Sequence, residues 1–142
     1  MQKLRIVSFL TLAGQLFAGG FWFQLGNPDA SPEARRNHAV VIVKAVGCHD
    51  PAAAQISADA IGMVDGKRQA VPLKLIPLSD PGAYALTRQW PPTGRWVIRL
   101  TGKNGELFTN TLIGAGPDGV DRLHARSDTK PFTESDVDAL LH

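Results

Sequence analysis

Asp80-Pro81-Gly82-Ala83-Tyr84, followed by Trp90-Pro91-Pro92-Thr93-Gly94-Arg95-Trp96-Val97-Ile98-Arg99-Leu100, is the stretch that decides the fold. Pro81-Gly82 sets a tight turn, because proline fixes φ and glycine admits a positive one. The spacing Asp80-x-Gly82-x-Tyr84 matches the tyrosine corner of Greek-key sandwiches, in which the Tyr hydroxyl bonds back to upstream backbone. After the Pro91-Pro92-Thr93-Gly94 turn the period is two: Trp96, Ile98 and Leu100 point inward, and Arg95, Val97, Arg99 and Thr101 point outward. Asp80, Gly82, Tyr84 and Trp96 are therefore read as structural residues of an antiparallel sandwich.

The flanking segments agree. His38 to Val46 is a continuous β-branched and apolar run, which suits a strand buried on both sides. Ile56 to Val64 leads into Asp65-Gly66, a two-residue hairpin signal. Gln69 to Leu78 reads as one returning strand, and Pro72 and Pro77, which lack amide donors, make it an edge strand or a bulged one. Further strands are expected over Glu106–Ile113 and Val120–Arg126. Ser31-Pro32 and Asp50-Pro51 pair an N-cap with proline at the first helical position, so each should start a short helical turn. Thr133-Glu134-Ser135-Asp136 opens a short C-terminal helix through Leu141 with a capping-box pattern. The expected fold is all-β: an immunoglobulin-like antiparallel β-sandwich of six to seven strands, with an N-terminal signal segment and a short C-terminal helix. Its expected divisions are a signal peptide over 1–20, a linker over 21–37, the sandwich over 38–130 and the helix over 131–142.

The N-terminus places the protein in the cell. Lys3 and Arg5 precede an apolar run from Ile6 to Ala18, and Ala18-Gly19-Gly20 offers small residues for cleavage. An uncleaved anchor reaching to about residue 25 is the alternative, and only then would the membrane be a partner. Periplasmic or secreted localisation is expected. The whole chain carries 15 Lys+Arg against 13 Asp+Glu. Loss of Lys3 and Arg5 brings the bases level with the acids, which removes the bulk-charge case for nucleic-acid binding. Cys48 is the single cysteine, so no intramolecular disulfide can form.

Pro81-Gly82-Ala83-Tyr84 and Pro92-Thr93-Gly94-Arg95-Trp96-Val97-Ile98-Arg99-Leu100 also resemble the closing hairpin of the FixH/YtkA-like bacterial immunoglobulin-like domains, over about residues 60–101. The resemblance implies an exported or membrane-anchored sandwich, linked in some members to assembly of copper-containing respiratory oxidases.

Three constellations could carry chemistry. Cys48-His49, with Met63 or His38, combines the thiolate, imidazole and thioether groups that suit Cu(I); copper is the cofactor only in that alternative. Arg122, His124 and Arg126 would share one face of a regular strand, and with Arg95 and Arg99 they would form an anion-binding patch. Tyr84, Trp90 and Trp96 are aromatic, with Trp96 at a core position. No nucleophile–base pair or phosphate-cradling glycine loop stands out. The functional expectation is a non-enzymatic exported module, with no cofactor, that binds a protein or cell-envelope component. The alternative is a periplasmic metal-handling or oxidase-assembly accessory protein using Cys48 and His49.

Overall fold

A computed structural model describes residues 20–142; the expected leader, up to Gly19, lies outside the described residues. Strands β1 (Trp22–Gly26), β2 (Ala39–Val46), β3 (Gln55–Val64), β4 (Lys67–Leu73), β5 (Leu75–Pro77), β6 (Ala83–Thr87), β7 (Trp96–Asn104), β8 (Leu107–Gly116) and β9 (Gly119–Asp128) form two antiparallel sheets. The first sheet has the order β1-β2-β6-β5 and the second β4-β3-β7-β8-β9. Helix α1 (Pro32–Arg36) follows a single 3-10 turn, and helix α2 (Glu134–Leu141) ends the chain. Among the described residues no helix is long and apolar enough to cross a membrane.

The sandwich is as expected; among the described residues it has nine strands where the sequence suggested six or seven, and both additional strands have a physical reason. Residues 22–26, expected to be linker or the end of an anchor, form β1 and pair with β2 along their whole length. Phe21 and Phe23 stack edge to face, 5.8 Å between centroids, and both are buried. Their rings lie on Gly102 of the opposite sheet, where a Cβ would stand 2.6 Å from the Phe23 ring. These aromatics therefore belong to the core, although in the sequence they continue the apolar run that precedes them.

The second additional strand comes from Gln69–Leu78, which divides at Lys74. β4 closes the edge of the second sheet and β5 the edge of the first, so one residue carries the chain between layers. The Gln89 carboxamide holds that residue, its Oε1 accepting from Lys74 N–H (2.8 Å) and its Nε2 donating to Lys74 C=O (2.9 Å). Pro72 and Pro77 both lie on edge strands, as their missing amide donors require.

Between the sheets, Val41, Val43 and Leu86 meet Trp96, Ile98, Leu100 and Ile113. The Asp65-Gly66 hairpin forms with both residues at positive φ, the two-residue connection expected from that dipeptide. Ser31 caps α1 by accepting from Ala34 N–H at 3.1 Å. The Asp50-Pro51 turn forms as 3-10 helix over Pro51–Ala53, without a side-chain cap. α1 lies against β2 with Ala34 fully buried, and α2 lies on the outside of the second sheet.

Candidate functional site

The outer surface of the second sheet follows from strand period and register. Val97, Arg99, Thr101 and Lys103 alternate onto it from β7. Pairing places Ile61 beside Val97, Asp59 beside Arg99, and Ser57 beside Thr101 on one flank; on the other flank Leu112, Asn110 and Phe108 stand beside Arg99, Thr101 and Lys103. Val97 was expected to face solvent, yet it is fully buried. With Ile61 and Leu112 it forms a second apolar cluster under Val137 and Leu141 of α2.

Three arginines from three strands hold that helix. Arg99 makes a two-pronged pair with Asp59, Nε to Oδ1 at 3.0 Å and Nη2 to Oδ2 at 2.6 Å, and its Nη1 stands 3.8 Å from Glu134. The Asp59 hydrogen bonds raise the Arg99 pKa, partly opposed by burial and aided by the charges of Asp59 and Glu134. Arg68 pairs with Glu134 and, at 2.7 Å, with Asp138. Arg126 reaches Asp136 at 3.5 Å and lies over the Phe132 ring, 5.4 Å from its centroid. The capping box closes as expected: Asp136 Oδ2 accepts from Thr133 N–H at 2.8 Å, and Thr133 Oγ1 accepts from Asp136 N–H at 3.2 Å. The Thr133 N–H and the Thr133 hydroxyl, which also donates to Asp136 Oδ2 at 3.0 Å, hold the Asp136 pKa below its ordinary value, followed by the Arg126 charge.

This arrangement corrects the expected anion-binding patch of Arg95, Arg99, Arg122, His124 and Arg126. Arg99 and Arg126 are neutralised by acids of the same chain. The register of β8 and β9 jumps between Leu112–Arg126 and Gly114–Asp121, so residues 122–125 bulge opposite Ile113. Alternation through Arg122, His124 and Arg126 is lost there. His124 is 82% exposed on its side chain and its Nδ1 lies 2.8 Å from Asp121. Arg122 is half-buried in the bulge. Arg95 precedes β7 and lines a small hollow of about 150 Å³ with Gly114, Gly116, Gly119 and Asp121.

Beyond the edge of α2 the same sheet face is open. A groove of about 360 Å³ runs over Ser57, Asp59, Arg99, Thr101 and Asn110, with Pro131 and Phe132 as one wall. It continues into a second hollow of about 330 Å³ that shares Ser57 and Thr101 and ends on Lys103 and Phe108. Phe108 is 49% exposed, and Lys103 Nζ lies 5.6 Å from its ring centroid. The floor carries hydroxyls and a carboxamide, the walls are aromatic, and the Arg99–Asp59 pair stands beside them. Sequence reasoning missed most of these residues. The available signal was Thr109-Asn110-Thr111, three polar residues buried in mid-strand beside the exposed Phe108.

The metal candidates are dispersed. Cys48 is half-buried against the main core and His49 is exposed at the same end of the sandwich. His38 and Cys48 flank the eight-residue β2, roughly 27 Å long at strand rise. Met63 stands near the far end of the ten-residue β3, which begins beside the Cys48 end. The structure thus brings Cys48 together with His49 alone.

Of the structural candidates, Trp96 is buried, rests on Gly62, and donates from Nε1 to Thr93 C=O at 3.0 Å. Asp80 and Gly82 build the expected turn: Ala83 N–H donates to Asp80 C=O at 3.0 Å, and Gly82 has φ +79. A Cβ on Gly82 would stand 2.6 Å from the Pro51 ring. The Asp80 carboxylate pairs with Lys44 at 2.8 Å. Tyr84 is half-buried, and its hydroxyl makes no hydrogen bond among the described residues, so the corner forms through the turn without the expected tyrosine bond.

No family model matches this chain, and neither does any curated protein or solved structure.

Proposed function

We propose that this protein is a non-enzymatic exported binding module that holds a protein or cell-envelope component on the open half of its five-stranded sheet. The observation that carries the reading is the continuous groove from Phe132 to Phe108 over Ser57, Thr101 and Asn110. A concave surface with a few convergent polar groups and aromatic walls is a recognition surface. Among the described residues the groove's one carboxylate is Asp59, and it is committed to Arg99, which suits a positioning group better than a proton carrier. Strands of a paired sheet form the floor, so the polar groups are fixed before a ligand arrives, and preorganisation lowers the cost of binding.

The test is capture from envelope extract with the wild-type chain, with Thr101→Arg, which fills the groove, and with Phe108→Ala, which removes its far wall. A stoichiometric component retained by wild type and lost by both variants is the expected result. Equal recovery by all three chains removes the groove as the binding surface.

A further inference from the structure

Among the described residues the two sheets have four edge strands, and an unprotected edge is a template for another strand. Three of the four are protected. β4 carries Lys67, Arg68 and Pro72; β5 is three residues long and ends in Pro77; β9 is broken by its bulge and carries Asp121, Arg122 and Arg126. β1, Trp22-Phe23-Gln24-Leu25-Gly26, has no charge, no proline and no bulge.

The direction of its unpaired backbone groups can be derived. Ala45 N–H donates to Gly82 C=O at 2.9 Å, on the β6 side of β2. Phe23, which stands opposite Ala45, is therefore in a non-hydrogen-bonded pair, and its own N–H and C=O point away from β2. Alternation gives the same direction for Leu25. Trp22, Gln24 and Gly26 turn their groups toward β2.

We propose that β1 pairs antiparallel with β1 of a second copy of this chain, about a two-fold axis at Gln24. That register keeps all five residues in the ladder. Phe23 of each copy faces Leu25 of the other, so the outward N–H and C=O groups of both exchange hydrogen bonds. On the outer surface Trp22 faces a glycine, so the largest side chain meets the residue that has none. Gln24 faces Gln24, and carboxamides both donate and accept. An isologous contact needs this self-complementarity, and its product is one continuous eight-stranded sheet. The contact lies on the other sheet from the groove and does not depend on that reading.

The register is tested in cells expressing the full chain with Cys48→Ser, adding Gln24→Cys or Trp22→Cys. Residues facing each other in a non-hydrogen-bonded pair have Cα atoms about 4.5 Å apart, inside the disulfide range of about 4.4–6.8 Å. Copies of Trp22, four positions out of register, would stand about 13 Å apart. Under mild oxidation Gln24→Cys should give a covalent dimer on a non-reducing gel and Trp22→Cys should not. In light scattering the wild-type chain should have twice the monomer mass, and Gln24→Glu should have the monomer mass. The carboxylate introduced by Gln24→Glu would face Lys44 within its own copy, so that variant should stay folded and melt cooperatively as a monomer. A monomeric wild type, equal cross-linking of the two cysteine variants, or a disulfide from the Gln24→Cys chain to a different protein overturns pairing with a second copy.

Discussion

Replacing Phe23 with alanine discriminates between a tethering linker and a structural strand at residues 21–26. Phe23 is 4% exposed, and its ring is enclosed by Phe21 on one side and the Gly102 backbone on another. A phenylalanine-to-alanine change in a core costs about 3–5 kcal/mol, combining lost transfer energy with the cavity left behind. The upper half of that range applies here because the floor cannot sink. Gly102 is paired in mid-strand with Ile56 on one side and Thr109 on the other. The loss of the edge-to-face contact with Phe21 accounts for about 0.5–1.5 kcal/mol of the total. Against a typical stability of about 5–15 kcal/mol, the variant should remain folded but be clearly weakened. Urea titration should show the loss as a lower midpoint at nearly constant slope. The double variant with Phe21→Ala should lose less than the sum of the singles, because the two rings share one cavity. A measured change below about 0.5 kcal/mol, the range of surface substitutions, would refute the placement of β1 in the core.

Other expectations are simpler to state. Tyr84→Phe should change stability by less than about 0.5 kcal/mol, since its hydroxyl bonds to none of the described residues; denaturation of the two chains side by side measures it. Helix α2 should loosen in acid through Asp136. Its folded pKa is lowered, so its contribution is present above the unfolded value and is lost as pH falls through the folded one. NMR signals of Val137 should report this, and Asp136→Asn should abolish the dependence. Signals that stay unchanged while the carboxyl protonates would exclude the cap as the source.

The parts of this fold that were legible in the sequence are those governed by local rules. Pro72 and Pro77 announced edges through their missing donors, Asp65-Gly66 announced its hairpin, and Thr133 with Asp136 announced a helix start. Trp96, Ile98 and Leu100 displayed their core face by alternation. What was hidden depends on register between distant segments. Arg99 looked like a free cation until Asp59, forty residues away, was placed directly beside it. Val97 looked exposed because the helix that covers it contributes only Val137 and Leu141 as buried anchors. The bulge in β9 could not be counted from Arg122, His124 and Arg126, whose spacing alone satisfies a regular strand. The groove was hidden for the same reason, since Ser57, Thr101 and Asn110 come from three strands.

The crossing at Lys74 has a mechanical consequence. One residue joins the edge of one layer to the edge of the other, and the Gln89 carboxamide grips both its backbone groups. That side of the sandwich acts as a spine. On the opposite side β1 and β9 belong to different sheets and share no backbone ladder. Strain that pries the layers apart will therefore open them like a book along β1 and β9, with the chain at Lys74 yielding last.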